Sequence, residues 1–244
     1  MIILGIETAT KAGSAALVSE SEIVAEYLLV AKRHIEQILR EIDQILIDAG
    51  RLLEECDGVA VSIGPGSFTG LRIGVSTAKT LAFAIQKPIF GISTLEAMAC
   101  NLPFASGYLC PMIDARKGEV YTALYQWVEG TLRAIISERA VSPMTMIHQV
   151  AMIHQLDRSH RIIFMGNGSN LYEGMILSEF GESAEFAPQH HNYPKASVVA
   201  GLGLNRLALQ QFDRVEALIP TYLRPSDAEV NWAQKHGGSQ CLNT

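Results

Sequence analysis

The sequence predicts an α/β fold of two lobes, each a mixed β-sheet flanked by helices. Three observations predict it. The first thirty residues carry three short apolar runs separated by polar turns, which is the pattern of an antiparallel meander. Helical and strand patterns then alternate as far as Ala99, as they do when helices lie on a sheet. After Pro103 short strands followed by helices begin again, so a second lobe echoes the first. No sequence repeat marks the duplication, which is inferred from element order alone.

Taken in order, the meander strands are Ile2 to Glu7, Gly13 to Ser19 and Ile23 to Leu29. Ile35, Ile38, Leu39, Ile42, Ile45, Leu46 and Ala49 recur at helical spacing, and Gly50 supplies a stop, so residues 34 to 49 form an amphipathic helix. A strand from Asp57 to Ile63 leads into a Gly-rich loop, Gly64 to Gly74, and then a helix of small residues from Val75 to Gln86. Ile89 to Ile92 is a strand, and Ser93 with Glu96 three residues later is a capping-box pattern. Beyond Pro103 come strands Tyr108 to Ile113, Val120 to Trp127 and Thr131 to Arg139, then helices near 143 to 155 and 196 to 211. Strand Ile162 to Met165 lies between those helices and ends in Gly166-Asn167-Gly168. The lobes are therefore set at residues 1 to 106 and 107 to 215, followed by a return segment and mobile polar tail, 216 to 244.

At 244 residues and 48% hydrophobic content the chain can bury one large core or two modest ones. Its net charge of -6 opposes independent binding to a polyanion, so any nucleic acid would be held mainly through a partner. Cys56, Cys100, Cys110 and Cys241 show no disulfide or Cys-x-x-Cys spacing, which fits a reducing compartment and makes cytoplasm the expectation. The start lacks a basic leader and meets Glu7 at once, and the longest uncharged run is broken by Pro103 and Pro111, so neither a signal peptide nor a membrane span is expected.

The block Ser62-Ile63-Gly64-Pro65-Gly66-Ser67-Phe68-Thr69-Gly70-Leu71-Arg72-Ile73-Gly74 is the most specific stretch. Four glycines and a proline in eleven residues can aim backbone N–H groups at an anion, or can let a helix pack closely on a sheet. Where a Walker loop ends in Gly-Lys-Ser/Thr this one has Gly70-Leu71-Arg72, and its glycine spacing does not match a dinucleotide fingerprint. Glu7-Thr8-Ala9-Thr10 ends the first strand, a place where a carboxylate can meet metal and hydroxyls can meet phosphate, or simply a turn. Asp114-Ala115-Arg116-Lys117-Gly118-Glu119 is a charged turn between strands, either a solvated hairpin or a cleft contact through Asp114, Arg116 and Glu119. The seven histidines include no His-x-x-x-His pair, and no Gly-x-Ser-x-Gly elbow occurs, so neither a metal site nor a catalytic nucleophile is expected.

Together, Ile6-Glu7-Thr8-Ala9-Thr10, the Ser62 to Gly74 block, Asp114 to Tyr121 and Pro220-Thr221-Tyr222-Leu223-Arg224 closely resemble the TsaB (YeaZ) family over essentially the whole chain. These are non-catalytic subunits of the bacterial machinery that makes threonylcarbamoyladenosine in tRNA. The resemblance implies the two-lobed fold of the actin, sugar-kinase and Hsp70 ATPases (the ASKHA, ribonuclease H-like fold). It implies a scaffold that pairs with the catalytic subunit TsaD, is joined by the ATPase TsaE, forms a homodimer when alone, and meets tRNA only through the complex. That complex transfers threonylcarbamoyl to the adenosine beside the anticodon.

TsaD shares the start and the Gly-Pro-Gly loop but carries a His-x-x-x-His metal pair, which is missing here. No cofactor of the chain's own is implied; ATP, ADP and metal belong to the assembly. Glu7 replaces an Asp found in many nucleotide-binding relatives. Glu7, Thr8, Gly64, Gly66, Ser67, Thr69, Gly70 and Arg72 are the anion-proximal candidates, with Gly70 a possible positive-φ position, and Asp114, Arg116, Glu119, Tyr222 and Arg224 the cleft or partner candidates. The family pairs through N-lobe helices, which points to Ile35, Ile38, Leu39, Ile42, Val75, Lys79 and Phe83. The competing readings are a phosphotransferase or glycoprotease-like peptidase on the same fold, and a homodimeric scaffold unrelated to tRNA.

Overall fold

A computed structural model describes residues 1–30, 37–156 and 160–224. The first sheet contains β1 (Ile2–Glu7), β2 (Ala12–Ser19), β3 (Ile23–Val30), β4 (Gly58–Gly64) and β5 (Ile89–Ser93), in the order β3-β2-β1-β4-β5. β1, β2 and β3 pair antiparallel, and β1, β4 and β5 pair parallel. The second contains β6 (Tyr108–Arg116), β7 (Glu119–Val128), β8 (Thr131–Val141), β9 (Ile162–Met165) and β10 (Ala184–Phe186), in the order β10-β9-β6-β7-β8. Again three strands form an antiparallel meander, β9 pairs parallel with its first strand, β6, and β10 pairs parallel with β9. The duplication inferred from element order is therefore a duplication of topology.

Helix α1 (Ile38–Asp48) buries Ile38, Ile42 and Ile45 on one face of the first sheet, and Gly50 ends it in a left-handed conformation, φ +60°. The first residues of the stretch predicted to be helical, 34 to 36, lie outside the described residues. Helix α2 (Phe68–Ile85) covers the same face, with Val75, Ala78 and Ala82 in that core. It begins seven residues before the predicted helix. Ser67 takes the N-cap, its Oγ accepting from Gly70 N at 3.3 Å, so Gly70 and Gly74 are helical residues rather than loop. Gly70 accordingly has no positive φ, whereas Gly64 does, at +120°.

The lobe boundaries are corrected by two exchanged helices. α3 (Thr94–Ala99) follows β5 in sequence, yet Leu95, Met98 and Ala99 join the second sheet's core with Leu109, Ile113, Ala123 and Met165. α7 (Ala196–Ala208) follows the second sheet, yet Ala196, Val199, Ala200 and Leu204 pack on Ile3, Ala16, Ala60 and Phe90 of the first. A Cβ at Gly5 would overlap Ala196 O, and one at Gly203 would stand 2.8 Å from Ala60 Cβ, so the helix lies almost on the strands. Each lobe thus completes its core with a helix from the other half of the chain. On its other face the second sheet carries α4 (Pro143–Leu156) and α6 (Glu173–Phe180) through Met146, Ile147, Val150, Ile176 and Phe180. α5 (Asn167–Leu171) stands at the end of β9. α5, α6 and β10 are absent from the sequence reading. The mobile tail predicted from Gly237-Gly238-Ser239 lies outside the described residues.

Candidate functional site

The carboxyl end of β1 is the centre of the first lobe. Parallel pairing of Ile6 with Val61 sets Glu7 beside Ser62, and both side chains are completely buried. Ser62 Oγ donates to Glu7 Oε2, and Ala9 N donates to Oε1. Burial pushes the Glu7 carboxyl up to about 7, while the bonds from Ser62 and Ala9 pull the other way. No described cation pairs with it. A carboxyl so placed is a hydrogen-bonded interior group.

The Gly-rich block is shaped around this strand end. Thr8, itself buried, donates through Oγ1 to Gly70 O at 2.8 Å, and a Cβ at Gly74 would overlap that same Oγ1. Ser67 N donates to Ala9 O at 2.7 Å, and a Cβ at Gly66 would overlap Ala9 O. On the other side Thr221 N donates to Ile63 O at 2.7 Å, and Thr221 O would lie 2.7 Å from a Cβ at Gly64. Three of the four glycines are therefore close approaches of the chain to itself, and the N–H groups of Ser67 and Gly70 are bonded within the chain. Thr69 is exposed on the first turn of α2.

Arg72 lies across the exposed end of α2. Its guanidinium stacks 3.9 Å from the Phe68 ring centroid and its Nε donates to Tyr222 Oη at 3.1 Å, while Phe68 and Tyr222 rings are 4.9 Å apart. The charged turn is a tight hairpin tip, with Arg116, Lys117 and Gly118 at φ +61°, +52° and +77°. Asp114 Oδ1 accepts from Arg116 N, and Asn167 Oδ1 accepts from Asp114 N, which ties the turn to α5. Arg224 Nη1 donates to Ala115 O and to Glu119 Oε2, both at 3.2 Å. Arg116 is exposed at the tip. The structure thus separates the candidates into a sealed group around Glu7 and Thr8 and a surface group around Arg72, Tyr222, Arg224 and Glu119.

Comparison with known proteins decides the family. A family profile described as TsaD, tRNA N6-adenosine threonylcarbamoyltransferase, matches residues 22–232. The tRNA threonylcarbamoyladenosine biosynthesis protein TsaB of Bacillus subtilis is 33% identical over 96% of this chain and 99% of its own. The TsaB of Haemophilus influenzae is 32% identical over 97% and 98%. The chain belongs to the TsaB (YeaZ) family. It falls as well within the wider family that the transferase profile describes. YeaZ from Pseudomonas aeruginosa superposes with a TM-score of 0.74 at 27% identity, covering 91% of this chain and 99% of that one, so the fold of two mixed sheets is shared.

In this TsaB-family chain the N-lobe helices offer less surface than the apolar spacing suggests. Ile38, Ile42 and Val75 are core residues, 2 to 3% exposed, and cannot contact a partner without unfolding their helices. Lys79 is turned inward, its Nζ donating to Glu216 O at 3.2 Å and Leu218 O at 3.1 Å. Ile35 lies outside the described residues. Leu39 and Phe83 remain, 59% and 74% exposed. Sequence reasoning passed over Ser62, Phe68, Asn167 and Thr221, each of which has a partner distant in the chain. Only the Phe68 side chain carried a signal, as a large apolar residue in an otherwise polar and glycine-rich turn.

Proposed function

We propose that this chain is a non-catalytic subunit for threonylcarbamoyl transfer to the adenosine beside the anticodon in tRNA. It pairs with a TsaD-like catalytic subunit and works with a TsaE-like ATPase, and it meets tRNA only within that assembly. The observation that carries this reading is the sealing of the β1 end. Glu7 is wholly buried with both oxygens engaged, and Thr8 and Ala9 are packed against the glycines of the following block. A metal would need an accessible carboxylate oxygen at that point. Glu7 offers none, which supports assigning nucleotide and metal to the assembly.

Exposed apolar residues of the N-lobe helices, among them Leu39, Ile47 and Phe83, supply a docking face for TsaD or for a second copy of the chain. The test is reconstitution with TsaD-like and TsaE-like proteins, a supply of threonylcarbamoyl adenylate and unmodified tRNA. The modified base is expected only when this chain is added to the other two. Synthesis by this chain alone, or by the other two without it, would overturn the proposal.

A further inference from the structure

The segment after α7 runs from the first lobe to the second across the ends of their sheets. Asp213 begins it, its N–H donating to Ile89 O at 3.1 Å and its carboxylate pairing with Arg206 at 3.0 Å and accepting from Gly91 N. Lys79 then holds the carbonyls of Glu216 and Leu218, and Leu218 is buried in the first lobe's core. Thr221 pairs with the end of β4 over Gly64, and Tyr222 packs on Phe68 beneath Arg72. All of these anchors belong to the first lobe.

Arg224 then crosses over. Its Nη1 grips Ala115 O and Glu119 Oε2 in the second lobe. These two residues flank Arg116, Lys117 and Gly118, three successive residues in the left-handed region. Non-glycine residues hold such a conformation only when their surroundings fix it. The arginine is the more sheltered partner of the ion pair, its side chain 18% exposed against 38% for Glu119. Elsewhere the lobes are joined by the exchanged helices α3 and α7 and by Ser93 Oγ donating to Glu138. Those joints lie toward α3, whereas Arg224 acts at the carboxyl ends of β4 and β6.

We propose that residues 213–224 are a strap that sets the separation of the lobes at the ends of β4 and β6, with Arg224 as its clasp. The fixed length between Thr221 and Arg224 defines how far the β6–β7 turn stands from the β4–α2 turn. Releasing the clasp leaves α3 and α7 as the hinge and frees the turn that carries Arg116. The strap is an internal brace, so its action requires no partner or ligand.

Spin labels at Thr80→Cys on α2 and Ser137→Cys on β8, both exposed positions, report the separation of the lobes in the full-length chain carrying Cys100→Ser and Cys241→Ser. Pulsed electron resonance would compare the intact clasp with Arg224→Ala and Glu119→Gln. Arg224→Ala is expected to lengthen and broaden the distance distribution. Glu119→Gln is expected to shift it the same way by less, because the bond to Ala115 O survives. Superimposable distributions in all three would overturn the strap. Should Arg224→Ala fail to fold, an unchanged distribution in Glu119→Gln overturns it equally.

Discussion

Replacing Glu7 by Gln should abolish a loss of stability that the wild-type chain suffers between acid and neutral pH. In the folded chain the Glu7 carboxyl is raised to about 7 from its ordinary 4.5, because burial penalises its charged form. Between those two values the folded chain keeps the proton and the unfolded chain releases it, so stability falls as pH rises. At 1.36 kcal/mol per pH unit over that interval the loss is about 3 kcal/mol, complete just above pH 7. Glutamine keeps the shape and the acceptor for Ala9 N, and the Ser62 hydroxyl can turn to accept from its amide. Urea denaturation of both proteins at pH 5, 6, 7 and 8 measures the difference, in which every other titrating group cancels. Near pH 5 the two should be similar, and by pH 8 the variant should be more stable by about 2 to 3 kcal/mol. Parallel pH profiles, or a wild-type advantage that grows toward pH 8, would refute a buried, proton-holding Glu7.

The glycines give a contrast within one type of substitution. Gly74→Ala drives a Cβ into Thr8 Oγ1 and should lower stability by about 1 to 3 kcal/mol, whereas Gly174→Ala and Gly201→Ala, in helices with open space at the Cβ position, should raise it by up to about 1 kcal/mol; thermal unfolding ranks them. Leu39→Glu and Phe83→Glu should each weaken binding to a TsaD-like partner at least about tenfold while leaving urea stability within about 0.5 kcal/mol, and Ser178→Glu on the exposed surface of the second lobe should change neither. Pairing that survives both N-lobe charges would move the docking face elsewhere.

The strands were legible because their apolar runs are short and clearly bounded. β1 and β9 span the residues their patterns indicate, and the restart of the pattern after Pro103 coincides with a second sheet of the same strand order. The start of α2 was not legible, since Gly70 and Gly74 read as loop residues by propensity. What fixes them is tertiary: Thr8 Oγ1 donates to Gly70 O and occupies the space that a side chain at Gly74 would need. α6 and β10 went unread for a related reason. The helix has eight residues and the strand three, both too short for periodicity to declare. The exchange of α3 and α7 between lobes leaves no mark in the order of elements, because an apolar helix face does not record which sheet will cover it.

The same limitation explains why the Gly-rich block was ambiguous. A glycine earns its place either by admitting a ligand close to the backbone or by admitting the chain itself, and composition is identical in the two cases. What separates them is the group standing opposite. Here that group is Thr8 Oγ1 for Gly74, Ala9 O for Gly66 and Thr221 O for Gly64, all from the same chain. Two of the three come from the turn that follows Glu7, so the sealing of the carboxyl and the packing of the block are one structural fact. A substitution that reopened the site would have to disturb both at once. The outer side of the same helix presents Phe68, Arg72 and Phe83 to solvent, while its inner side packs against the end of β1.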